Sequence, residues 1–136
     1  MFDVVYYSRT GNTKKVAEAI ATELGVTAGD VAAKKGLAED FFVLLGSGCY
    51  GGEPGKELQE FIDRNDFKGR QVALFGTSEG GKGDEVRVME ELLKPKGALI
   101  KGIFYCKGQS GSLSVGHPSD DDLAQAREFA KEMKKS

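Results

Sequence analysis

Residues 41–45, Phe41-Phe42-Val43-Leu44-Leu45, carry no polar side chain on either face. A run of that kind suits a central parallel strand with helices covering both of its faces. Gln71-Val72-Ala73-Leu74-Phe75 repeats the pattern, Val4-Val5-Tyr6 and Leu99 to Cys106 supply further strands, and Val26 to Ala33 has room for a short second one. Between the strands the apolar period changes from two to about 3.6. Val16, Ile20 and Leu24, flanked by Ala17 and Ala21, form one helical stripe that Gly25 stops. Leu58, Phe61 and Ile62 form a second, in a helix expected to open at Pro54. Val86, Met89, Leu92 and Leu93 form a third, ended by Lys94-Pro95. Leu123, Ala126, Phe129, Ala130 and Met133 form the last, behind a Ser119/Asp122 pair that resembles a capping box. The stretch from Lys34 to Asp40 is polar, with room for one helical turn at most. Five β-α units without a linker predict one doubly wound α/β domain over residues 1–136.

In such sheets ligands bind beyond the carboxyl ends of the strands, where the strand order reverses. The predicted strand ends carry three loops rich in Gly, Ser and Thr. The first is Ser8-Arg9-Thr10-Gly11-Asn12-Thr13, set between a strand and the amphipathic run that begins at Lys14. Strand, tight loop, helix presents free backbone N–H groups at the positive end of a helix dipole, which favours an anion. Ser8, Thr10 and Thr13 add hydroxyl donors, and each bond to a charged group contributes about 1.5–3 kcal/mol. This first loop is neither the G-K-[ST] of a Walker loop nor a G-x-G-x-x-G. The plainer reading is a capped helix start with incidental hydroxyls. The other two loops are Gly46 to Glu53, with Ser47, Gly48, Cys49, Tyr50, Gly51 and Gly52, and Gly76 to Gly83, with Thr77, Ser78, Glu79, Gly80 and Gly81.

The chain resembles the flavodoxin family. Ser8-Arg9-Thr10-Gly11-Asn12-Thr13 matches that family's [ST]-x-T-G-x-T phosphate motif directly after the first strand. The resemblance spans essentially the whole chain, and the uninterrupted fifth strand is that of short-chain members. It implies a single sheet of five parallel strands in the order 2-1-3-4-5, helices on both faces, and non-covalent FMN. It also implies that loop 46–53 lies along the flavin ring, with Tyr50 against one face and Gly51-Gly52 as a peptide that flips toward the reduced ring. Loop 77–83 resembles the second ring-holding loop. Two features depart from carrier flavodoxins: loop 77–83 has no aromatic residue, and the charge is nearly balanced, with 19 basic against 21 acidic residues. The implied function is electron transfer between redox partner proteins, or with a small-molecule donor or acceptor. Direct oxidoreductase action on a quinone or porphyrinogen, and a flavin-free interaction module, are the alternatives.

A net charge of −2 gives no footprint for nucleic acid or an anionic membrane. No apolar run is long enough to span a bilayer, and the chain opens directly on a strand, without the pattern of a signal peptide. Cys49 and Cys106 have no metal or redox-pair spacing, which fits free, inert thiols in a reducing cytoplasm. His117, the lone histidine, reads as a loop or capping residue. Asp120-Asp121-Asp122 reads as acids at a helix N-terminus, not as a metal site. Arg9 reads as solvent-facing or at the phosphate rim. A receiver domain has the same architecture but needs acids where Ser8-Arg9 and Gly46-Ser47 stand.

Overall fold

The computed structural model describes residues 1–34 and 36–136. Five strands, β1 (Phe2–Tyr7), β2 (Ala28–Asp30), β3 (Phe42–Gly48), β4 (Gln71–Ser78) and β5 (Leu99–Lys107), form one sheet in the order β2-β1-β3-β4-β5. Every pairing is parallel. Four helices connect or follow them: α1 (Asn12–Leu24), α2 (Lys56–Arg64), α3 (Asp84–Leu93) and α4 (Asp120–Lys134). This is the doubly wound sheet expected from the apolar runs.

Alternation along each strand divides the core into two layers. Val4, Tyr6, Leu44, Ala73 and Phe75 face α1 and α4, meeting Val16, Ile20, Leu24, Ala126, Ala130 and Met133. Val5, Val43, Leu45, Val72 and Leu74 face α2 and α3, meeting Leu58, Phe61, Ile62, Val86, Met89 and Leu93. Residues 42–48 are buried without exception, as a strand with two apolar faces requires. The edge strand β5 is different: Leu99, Ile103 and Tyr105 are exposed beside Lys101 and Lys107. Exposed lysines discourage pairing with another chain.

Several boundaries differ from expectation. α1 starts at Asn12, two residues before the periodic run, so Asn12 and Thr13 belong to its first turn. Pro54 does not open α2; Gly55 is the N-cap and the helix runs from Lys56. The Gly55 N–H is held by the buried Ser47 hydroxyl at 2.8 Å, which fixes the chain just before the first turn. β3 and β4 extend three residues into their glycine-rich stretches, because Gly46-Ser47-Gly48 pairs with Phe75-Gly76-Thr77. Leu92 is 37% exposed, since the buried face of α3 turns through Met89 and Leu93 and passes it by. Within 26–33 only Ala28–Asp30 is strand, followed by a 3₁₀ turn over Val31–Ala33. Of the polar stretch 34–40, residue 35 lies outside the described residues.

Candidate functional site

The strand order reverses between β1 and β3, and the loops that leave their carboxyl ends flank that point. The first loop is built around Gly11, whose φ of +95° places it in the left-handed region as the N-cap of α1. No side chain caps this helix, and no acid stands in its first turn. The Gly11 N–H is taken by the Ser8 hydroxyl at 3.0 Å. The hydrogen bonds of the described residues leave the backbone N–H groups of Thr10, Asn12 and Thr13 without an acceptor. Thr10 is exposed, whereas Thr13 is buried and shares a 2.8 Å hydroxyl bond with Thr77 of β4. Thr13 therefore ties the first loop to the third.

The second loop leaves β3 through Cys49 and closes a tight turn. Tyr50 and Glu53 bond each other's backbone, with the Tyr50 N–H to the Glu53 carbonyl at 2.7 Å. Gly51 and Gly52 have φ of +65° and +83°. Two consecutive positive φ values explain the paired glycines, because a Cβ disfavours each. The Tyr50 hydroxyl accepts from the Arg9 N–H at 3.2 Å, and the Arg9 guanidinium lies 4.3 Å from the Tyr50 ring centroid. Arg9 is thus solvent-facing but packed on one face of Tyr50, while the edge of Tyr7 meets that ring at 5.8 Å. Burial pushes the Tyr50 phenol up, keeping it a neutral hydroxyl.

The third loop turns at Ser78, whose hydroxyl and carbonyl both accept from the Gly81 N–H. Glu79 and Gly80 are exposed at its tip. A fourth loop, after β5, also enters the site, although its glycines alone did not mark it. The Gly108 N–H donates to the Ser78 carbonyl at 2.8 Å, the Asn12 side-chain amide donates to the Gln109 carbonyl at 2.8 Å, and the Ser114 hydroxyl donates to the Glu79 carbonyl. This loop ends at His117, which bonds the capping carboxylate of Asp122 at 2.6 Å. The strand-end rule that singled out the other three loops applies equally to this one.

Two clefts adjoin here. The smaller, about 120 Å³, lies among Ser8, Thr10, Asn12, Thr13, Gly48, Tyr50, Thr77 and Gln109. The larger, about 440 Å³, lies among Gly51, Gly52, Gly80, Lys82 and Asp84, and the two share Cys49, Ser78, Glu79 and Ser110 as walls. Of the expected site residues, Arg9, Gly11, Ser47 and Gly81 support the walls without lining either cleft. A still larger cleft of about 530 Å³ opens at the opposite end of the sheet, near Met1, Arg70 and Ser136. It lies at the amino ends of the strands, away from the switch point. Both cysteines are held as neutral thiols by burial, Cys106 being pushed up to about 12. Among the described residues no group of acidic, cysteine and histidine side chains could hold a metal.

A doubly wound sheet in this order, with an uncapped helix and a hydroxyl-rich loop at its switch point, defines a flavodoxin-like α/β protein. The chain belongs to the flavodoxin family: the family model for the flavodoxin domain matches residues 4–110. It is 31% identical to an uncharacterized protein of Methanocaldococcus jannaschii over 137 residues, covering 92% of this chain and 91% of that one. It is 36% identical to a flavodoxin of Clostridium beijerinckii over 109 residues, covering 71% of this chain and 78% of that one. A solved archaeal flavodoxin superposes with a TM-score of 0.79 at 22% identity, covering 98% of this chain and 96% of that one, which is a likeness of fold. Family and fold together suggest a flavin-binding electron-transfer protein. Among the described residues no helix is long and apolar enough to cross a membrane.

Proposed function

We propose that this chain binds FMN without a covalent bond and passes electrons between redox partners. The observation that carries the reading is the unfilled N-terminus of α1: unpaired N–H groups of Thr10, Asn12 and Thr13, with the hydroxyl of the exposed Thr10, on residues that line the smaller cleft. That donor set fits a phosphate. The larger cleft, walled by Cys49, Gly51 and Gly52 on one side and Ser78 to Gly80 on the other, is within the size range of small-molecule sites, about 300–1,000 Å³.

In this reading Ser8 to Thr13 hold the phosphate, while Cys49 to Gly52 and Thr77 to Gly81 hold the ring. The flavin supplies the electron exchange, and the protein binds it, orients it and tunes its charge environment. Reconstitution followed by absorbance and titration with FMN and riboflavin tests this. Tighter binding of FMN than of riboflavin supports the phosphate role. A protein that acquires no flavin spectrum is the flavin-free module instead. The lack of any aromatic residue over 77–83 also favours a second reading, direct reaction with a small planar substrate. Steady-state turnover of NAD(P)H with quinones distinguishes it from a carrier.

A further inference from the structure

Glu85 is fully buried in the first turn of α3, and neither carboxyl oxygen has a hydrogen-bond partner among the described residues. Its niche exists because residue 76 is glycine: a Cβ there would stand 2.3 Å from Oε1. Ser47, paired with Gly76 across the sheet, is turned to other work, donating to the Gly48 carbonyl and accepting from the Gly55 N–H. A bare carboxylate in such a place is costly, so burial drives the carboxyl upward, opposed by its own backbone N–H and the Cys49 thiol, which lie near it but make no hydrogen bond of good geometry. The titratable and charged groups acting on it are Cys49 from the loop after β3, Cys106 from β5, and Asp84 and Arg87 from its own helix. Glu79, Lys82 and Asp84 carry the charges along the larger cleft. Cys49 walls that cleft together with Gly51, Gly52 and Asp84, the residue next to Glu85 in α3, and the Cys49 thiol is pushed up first by burial and then by Glu85. The carboxyl therefore stands one residue behind the wall of the cleft. Spacing in the sequence already carried this signal, since Glu85 lies four residues before the buried Met89.

We propose that Glu85 is a proton-holding group that couples the protonation of the protein to negative charge placed in the cleft beside Cys49–Gly52. The proposal rests on the cleft taking up FMN. When an external reductant adds an electron to the bound group, the electron stays there. The negative charge then makes an ionised Glu85 costlier, and the carboxylate takes one proton from solvent to become the neutral acid. No bond forms between Glu85 and the cofactor. By linkage, the proton on Glu85 favours reduction by the same factor that reduction favours the proton. Where Glu85 is already neutral, reduction draws no proton to it.

The test has an apo arm and a loaded arm. In the apo protein titrated upward from acid pH, infrared spectra are expected to show the carbonyl stretch of a protonated carboxylic acid persisting above the ordinary glutamate value of about 4.3, lost in Glu85→Gln and in Glu85→Leu. The band's titration in the wild type needs no variant. Above the ordinary glutamate value of about 4.3 the native state holds a proton that the unfolded chain has released. Wild-type stability should therefore fall relative to Glu85→Leu as pH rises toward the folded value, and then level off. With FMN bound, the wild-type potential should fall with pH more steeply than that of Glu85→Leu. Between the carboxyl's values before and after reduction the limit is tenfold per pH unit, about 59 mV for a one-electron step. A missing acid band, or pH profiles of stability that run parallel, would overturn the proposal outright. FMN uptake with identical potential slopes in wild type and variant overturns the coupling alone. No FMN uptake overturns the proposed function, and the coupling with it.

Discussion

α1 and α4 begin in opposite ways. α4 satisfies itself: the Ser119 hydroxyl accepts from the Asp122 N–H, the Asp122 carboxylate accepts from the Ser119 N–H, and Asp120, Asp121 and Asp122 face the dipole. α1 has a glycine cap, no side-chain cap bond and no acid in its first turn. A self-capped end has little left to offer a ligand. An end with orphan donors at a strand terminus needs a guest or water to satisfy them. One sequence thus contains a helix start that satisfies its own donors and another that leaves them free. The largest expected effect comes from converting the second into the first. Thr10→Asp places a carboxylate where a phosphate would sit, removing a donor and adding repulsion. Losing charge-assisted bonds of about 1.5–3 kcal/mol each weakens FMN by about 100-fold or more. Riboflavin should stay within about threefold, measured by fluorescence titration. Equal losses for both ligands would show that this end does not hold the phosphate.

The converse change strips α4. Ser119→Ala removes one capping bond and should cost about 0.5–2 kcal/mol in denaturant unfolding, with FMN affinity unchanged. Asp122 sharpens the contrast through pH. Burial opposes its ionisation, but the Ser119 N–H, the His117 ring and the Ser119 hydroxyl together hold the carboxyl below the usual range. Its contribution is complete above the ordinary aspartate value of about 3.9 and is lost as pH falls through the lower folded value. Wild type should therefore lose more stability than Asp122→Asn over that acid range. Parallel acid profiles would show that the pairing carries no net energy.

The two helix starts also differ in how plainly the sequence announced them. Ser119 and Asp122 are three apart ahead of an apolar stripe, so the capping box was legible from spacing alone. The hydroxyl loop after β1 was legible as a strand-loop-helix turn rich in donors, but the division of labour within it was not. Thr13 carries the same hydroxyl as Thr10, yet it is buried and bonded to Thr77, 64 residues away in sequence. Replacing Thr13 would strand a buried hydroxyl of Thr77 and mix a folding cost into any measured affinity. Thr10 alone is therefore the cleaner probe. The doubly wound parallel sheet followed from local patterning, because two-faced apolar runs need helices on both sides; the strand order β2-β1-β3-β4-β5 was implied only by the family resemblance. The end of β3 was not legible, since Gly46-Ser47-Gly48 has turn-like composition and becomes strand by pairing with β1 on one side and β4 on the other. Gln109 entered the site for the same kind of reason: its backbone carbonyl accepts from Asn12, and a carbonyl has no signature in sequence.

Tyr50 extends the comparison to the second loop. Its hydroxyl takes the Arg9 N–H, so part of the first loop's donor capacity is already used by a protein group. Tyr50→Ala frees that donor but removes an aromatic surface. Aromatic pairs contribute about 0.5–1.5 kcal/mol beyond area burial. A net weakening of FMN by roughly two- to tenfold is expected, with altered quenching of flavin fluorescence. An unchanged dissociation constant and unchanged fluorescence yield would remove Tyr50 from the ring site.

The smallest effect concerns Lys82, which answers the acids of the same cleft wall as α4's cationic last turn answers its dipole. Lys82 is exposed and lines the larger cleft opposite Gly51 and Gly52, with Glu79 and Asp84 beside it. A reduced flavin carries negative charge, which a nearby ammonium stabilises, so Lys82→Ala should lower the reduction potential. Two carboxylates and solvent screening limit the size of the effect. Exposed charge pairs of about 0.2–0.5 kcal/mol correspond to about 10–20 mV for a one-electron step. Raising ionic strength should shrink the difference between wild type and variant, because this interaction is screened where that of buried Glu85 is not. Redox titration at low and high salt measures both. A variant whose potential equals or exceeds that of the wild type at low salt would mean that Lys82 does not act on the ring.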